Sequence, residues 1–170
     1  MSNQDPIKEQ QALALINQGK LKEAEEIYRE LIAEGSASHI AYGNLAALCE
    51  MRGQKNEIIE LLTKALKLNP NFPEAHSNLG IALQEKGDLN AAINSYQQAI
   101  KLKPNYPDAH NNLGNALQEQ GKHKEAIHSY LKAINFKPHF PEAHYNLGNV
   151  LQKQGNLSSA TQSFKRAIQI

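Results

Sequence analysis

One cysteine, Cys49, stands in 170 residues. A single thiol gives neither a disulfide nor a cysteine metal site within one chain. No run of 18 apolar residues occurs, so a membrane-spanning helix is not expected. Neither sign of charge prevails: 18 Lys+Arg face 17 Asp+Glu, a formal net charge of +1. That balance supplies no broad field to draw nucleic acid or an acidic membrane. No segment alternates apolar and polar residues as a half-buried strand does. The opening residues, MSNQDPIKEQ, are polar and unlike a secretory signal, so a cytoplasmic location is the expectation. What remains is 41% hydrophobic and 21% charged, the mixture of a globular chain. Its length suits a single domain over 1–170.

Order along the chain is more informative than composition. Pro70-Asn71-Phe72-Pro73-Glu74-Ala75-His76 recurs as Pro104-Asn105-Tyr106-Pro107-Asp108-Ala109-His110, then as Pro138-His139-Phe140-Pro141-Glu142-Ala143-His144. Each step is 34 residues, and 73–106 matches 107–140 at 19 of 34 positions. With Pro73 as position 1, Leu79 and Gly80 occupy positions 7 and 8, Gly87 position 15, Ala92 position 20, Tyr96 position 24, Ala99 position 27 and Pro104 position 32. The same frame divides the chain into 5–38, 39–72, 73–106, 107–140 and a truncated 141–170. The first unit keeps Gly19, Ala24 and Tyr28 and little else, and with 4 basic against 7 acidic residues it reads as a divergent N-terminal cap.

Each unit reads as two helices. Proline at position 1 suits a helix start, where its missing N–H is not needed. The acid beside it (Glu74, Asp108, Glu142) suits the positive end of the helix dipole. Gly87, Gly121 and Gly155 are expected to stop the first helix by taking up a left-handed backbone. Ala92, Ile93, Tyr96, Ala99 and Ile100 make one apolar stripe of a second helix, which Pro104 ends. The fold class is all-α.

This Leu-Gly…Ala…Tyr…Ala…Pro pattern on a 34-residue period resembles the tetratricopeptide repeat family, strongly over 39–170 and weakly over 5–38. The resemblance implies a right-handed α-solenoid of tandem helix-turn-helix repeats whose first helices line a concave groove. It also implies that Gly80, Gly114 and Gly148 face Ala92, Ala126 and Ala160, so that Gly114→Leu would overpack the pair. Position 4 departs from the family, with Tyr42 once and histidine three times.

On a helical wheel, positions 2, 5, 6, 9, 12 and 13 fall on the side away from the neighbours; in the family these line the groove. Two ladders emerge there. Asn44, Asn78, Asn112 and Asn146 share position 6, and Gln84, Gln118 and Gln152 share position 12. Ser77, Asn111 and Tyr145 at position 5, and Asn115 and Asn149 at position 9, complete the candidate surface. A carboxamide both donates and accepts, so a row of them can pair with the backbone of an extended peptide. A repeat rise of order 10 Å is about three residues of extended chain. The arrangement is similar to the repeats of O-linked N-acetylglucosamine transferase-type proteins, which implies a peptide-backbone role for the asparagine row. The alternative is that these asparagines only bond to the neighbouring repeat.

Other signals are weaker. His76, His110 and His144 lie one repeat apart, too far to share an ion with metal–nitrogen bonds near 2 Å, and are expected to fill the seam between repeats. His123 and His128 fall on different faces. Gly114 and Gly121 enclose six residues with no Ser/Thr after Lys122, so this is no phosphate loop. Asn156-Leu157-Ser158 is a glycosylation triplet of the kind that arises by chance. Only Lys153 and Arg52 would place positive charge near the groove, which does not favour a carboxylate-clamp partner. The last apolar stripe (Ala160, Phe164, Ala167, Ile168) has no following helix, so a contact between copies through 158–170, in effect a homodimer, is expected.

The functional expectation is a non-enzymatic, cofactor-free interaction module that binds an extended peptide segment of a protein, with neither nucleic acid nor membrane as partner. A substrate-recruiting arm of a larger enzyme, such as a glycosyltransferase, and a self-assembly scaffold are the alternatives.

Overall fold

A computed structural model describes residues 5–51, 53 and 55–170, which leaves Arg52 outside the described residues. Among the described residues the backbone forms ten α-helices and no strand. In chain order they pair as α1 (Pro6–Asn17) with α2 (Leu21–Ala33), α3 (His39–Glu50) with α4 (Lys55–Leu68), α5 (Pro73–Glu85) with α6 (Leu89–Leu102), α7 (Pro107–Glu119) with α8 (His123–Phe136), and α9 (Pro141–Lys153) with α10 (Leu157–Gln169). This is the all-α, tandem helix-pair architecture of the α-solenoid class that the 34-residue period predicts. Pro73, Pro107 and Pro141 each open a first helix. Gly87, Gly121 and Gly155 adopt φ of 90°, 76° and 78° just past the ends of α5, α7 and α9, a conformation that costs other residues strain. No described helix is long and apolar enough to cross a membrane.

The chain divides into two compact units, Met1–Ala82 and Leu83–Ile170, with the boundary inside α5. In the first, Tyr28, Leu31, Leu45, Leu61 and Leu62 form one buried core. Polar ties join its helix pairs. Ser38 caps α3 by accepting from the Ile40 and Ala41 N–H groups, and its own N–H and Oγ donate to the Glu9 carboxylate at 2.9 and 2.8 Å. Arg29 reaches from α2 to Glu57 of α4 at 2.7 Å.

In the second unit α7 packs on α8 and α9 on α10, while α6 meets α7 and α8 meets α9. The position-24 ring sets the spacing of each helix pair. Tyr130 is 1% exposed, and a Cβ added to Gly114 would lie 2.5 Å from its ring. Phe164 meets Gly148 at the same distance. This corrects the sequence expectation at Gly114 and Gly148: what first meets these position-8 glycines is the aromatic ring at position 24, not the Ala126 or Ala160 methyl. Both alanines are buried, but a flat ring lying over a residue with no side chain needs more room than a methyl does.

The position-4 histidines do more than fill the seam. The Nε2 atoms of His76, His110 and His144 lie 3.0, 3.0 and 3.1 Å from the carbonyl oxygens of Pro70, Pro104 and Pro138. A carbonyl only accepts, so Nε2 carries the proton in each. Every such bond ties a first helix to the turn that ends the preceding repeat. His110 is also stacked on Phe136, with centroids 5.6 Å apart. Its burial pushes its pKa below the usual histidine value; the Pro104 bond opposes this, and Lys132 and His128 add to it.

Candidate functional site

The candidate surface is best resolved on α7 and α9, neighbouring first helices of the second unit. Asn112, Asn115 and Gln118 lie at positions 6, 9 and 12, a spacing of three that keeps them on one stripe. All three are partly exposed. On α9 the matching Asn146 and Asn149 are partly exposed and Gln152 is exposed.

Position 5 behaves differently. Asn111 is 7% exposed and Ser77 3%. These two lie out of a ligand's reach, which corrects their assignment to the peptide surface. The physical reason is visible at Asn111: its Oδ1 accepts from Asn146 Nδ2 at 3.1 Å, so α9 covers it. Position 5 of α7 sits at the edge of the outward arc and faces α9. Tyr145, at position 5 of α9, is 55% exposed and leans on Phe164, centroids 5.7 Å apart.

The asparagine row is not uniform. Asn44 donates to the Tyr28 hydroxyl at 2.9 Å. Asn146 donates from Nδ2 to Asn111 and to Asn115 Oδ1, both at 3.1 Å. These two match the alternative in which position 6 pairs with the neighbouring repeat. Asn78, Asn112 and Asn149 are partly exposed and engage no side-chain hydrogen bond among the described residues.

Sequence reasoning missed the tyrosine hydroxyls beneath this surface. The Tyr130 hydroxyl has one proton and donates it over the shorter contact, to Asn115 Oδ1 at 2.8 Å; Gln118 Oε1 lies 3.1 Å from the same oxygen. Tyr96 donates to Gln84 Oε1 at 3.0 Å, and Gln84 in turn donates to Glu119. Burial drives both phenols well above the usual tyrosine range, so each stays protonated and keeps donating. A tyrosine rather than phenylalanine at a core position was the available signal, because a buried hydroxyl requires a partner. At position 24 of the last repeat stands Phe164, and Gln152 accordingly has no hydroxyl beneath it.

The expected self-association stripe is largely spent within the chain. Ala160 is 2% exposed and Phe164 lies over Gly148. Ala160 therefore cannot reach a second copy, because it faces inward to α9. Ala167 is partly buried, and Ile168 is 85% exposed. Among the described residues no three His, Cys, Asp or Glu side chains come together as a metal-sized group.

The chain aligns with family profiles described as TPR repeat at residues 51–87, 82–121 and 114–155, and as tetratricopeptide repeat at 7–33 and 141–170. No curated protein matches it. Among solved structures, MamA is 28% identical, with 93% of this chain and 92% of that one covered at a TM-score of 0.85. YrrB, described as a TPR protein with an unusual peptide-binding site, is 22% identical, covering 97% and 86% at a TM-score of 0.82. The pilF protein of Pseudomonas aeruginosa is 20% identical, covering 95% and 74% at a TM-score of 0.83. The period, the glycine-on-ring packing and the profile matches together make this chain a member of the tetratricopeptide repeat family.

Proposed function

We propose that the protein is an interaction module that binds an extended peptide segment of a partner across the first-helix surface of α7 and α9. The observation that carries this reading is the pair of accessible, unpaired carboxamides Asn112 and Asn149, set beside Asn115 and Gln118. Asparagine is a middling helix former, and a protein gains nothing in stability from amides that bond only to water. An extended backbone supplies alternating N–H and C=O groups that such amides satisfy without selecting side chains. The role carried over from O-linked N-acetylglucosamine transferase-type repeats belongs here; Asn78, at the same repeat position in the first unit, is proposed for that role within its own unit. The peptide-binding description of YrrB supports the same class of partner.

The test is direct. Twelve-residue peptides selected on the full chain from a random displayed library are measured by fluorescence polarisation against the wild type and the double variant Asn112→Ala, Asn149→Ala. Loss of two neutral hydrogen bonds lowers affinity by a factor of about 10 to 100. Helicity, followed by circular dichroism, stays unchanged. Equal affinity for the variant overturns the reading.

A further inference from the structure

The hydrogen bonds under the α7–α9 surface do more than support it. Asn115 Oδ1 receives two donors, the Tyr130 hydroxyl at 2.8 Å and Asn146 Nδ2 at 3.1 Å. A carboxamide oxygen has two lone pairs, so that end is filled and Nδ2 is the end left over. Gln118 lies 3.1 Å from the same hydroxyl, but the single proton there is given to Asn115, so the polarity of Gln118 is not set by it. On α9 the polarity is reversed. Asn146 spends both Nδ2 protons on Asn111 and Asn115, and Oδ1 remains.

We infer that this network fixes the polarity of the binding surface, with Asn115 of α7 offering its N–H donors and Asn146 of α9 a carbonyl acceptor to one edge of an extended peptide. The inference rests on the peptide reading of the same surface and adds a register to it. A peptide C=O lies over Asn115, and a peptide N–H lies over Asn146. One edge of an extended strand carries both kinds of group, so a single pass of chain satisfies both helices. Tyr130 is a positioning residue in this scheme, since it holds the Asn115 carboxamide by its oxygen and touches no ligand. Asn112, with no partner of its own, is free to follow either group.

The library-selected peptides supply the probe. Each peptide amide is replaced in turn by an ester, which keeps the shape and removes one N–H. One such ester is expected to weaken binding to the wild type roughly three- to tenfold. That sensitivity disappears in Asn146→Ala. Tyr130→Phe keeps the ring, as Phe164 shows is compatible with packing on glycine, and weakens the all-amide peptide by a similar factor at unchanged helicity. A flat ester scan, or wild-type affinity in Tyr130→Phe, overturns the polarity. Peptides that need Asn112 and Asn149 but ignore Tyr130 overturn the polarity alone and leave the peptide reading standing. Recovery of no peptide that depends on Asn112 and Asn149 overturns both.

Discussion

The repeats at 107–140 and 141–170 differ at their centre by a single oxygen atom. Tyr130 and Phe164 lie over Gly114 and Gly148 with the same closest approach, 2.5 Å from where a Cβ would stand. Only the tyrosine reaches onward to Asn115 and Gln118. The comparison separates two roles that one side chain carries at once. The ring makes the helix pair, and the hydroxyl arranges the carboxamides of the first helix. A repeat can therefore keep its fold while losing the order of its outer surface.

The sharpest way to break that comparison is to attack the shared part. Gly114→Ala places a methyl 2.5 Å from the Tyr130 ring, which is 1% exposed. It is expected to destabilise the protein by about 1–3 kcal/mol, read as a fall in urea midpoint at constant slope. Gly148→Ala should cost a similar amount, since the distances match. The repeat at 39–72 shows the compensating solution, with Ala46 and Leu62 buried at the same two positions. Adding Tyr130→Leu to Gly114→Ala should then recover part of the loss. Two unequal losses from the single glycine variants would show that ring packing is not what the repeats share.

Acid sharpens the comparison at a second place. His110 and His144 make the same bond to a proline carbonyl, but His110 is 9% exposed and stacked on Phe136. Burial lowers its pKa in the folded chain, so the unfolded chain binds the proton more readily. Stability contributed by the neutral ring is present above the ordinary value near 6.5 and is lost as pH falls below it. Unfolding midpoints at pH 7.5 and 5.5 should therefore converge in His110→Gln relative to the wild type. The smallest expected effect comes from supplying the missing oxygen. Phe164→Tyr gives Gln152 a donor and should change stability by no more than about 1 kcal/mol, while ordering the Gln152 amide protons in a nuclear magnetic resonance spectrum. An unaltered Gln152 signal would mean that the hydroxyl does not organise position 12.

Much of this architecture was legible in the residues. Proline at position 1, glycine at position 15 and the 34-residue step fix the helix boundaries locally, because each acts on its own backbone. Contacts between helices were less legible. A glycine signals close approach but not what approaches, and the sequence reading supplied alanine where the structure supplies an aromatic ring. Position 5 failed for a related reason. A wheel describes one helix in isolation, whereas Asn111 is covered by Asn146 of another. The hydroxyl network was readable in principle from tyrosine at a core position, yet its targets, Asn115 and Gln118, depend on where the ring emerges.

The couplings between repeats also differ in kind along the chain. Arg29 joins α2 to α4 through the Glu57 carboxylate, with its side chain 43% exposed, whereas His110 joins its helix to a carbonyl through an uncharged ring that is 9% exposed. Dissolved ions reach and screen the first coupling and leave the second almost untouched, while protons act on the second. Ionic strength and acidity thus become two separate handles on a chain built from one repeated part, each loosening a different joint.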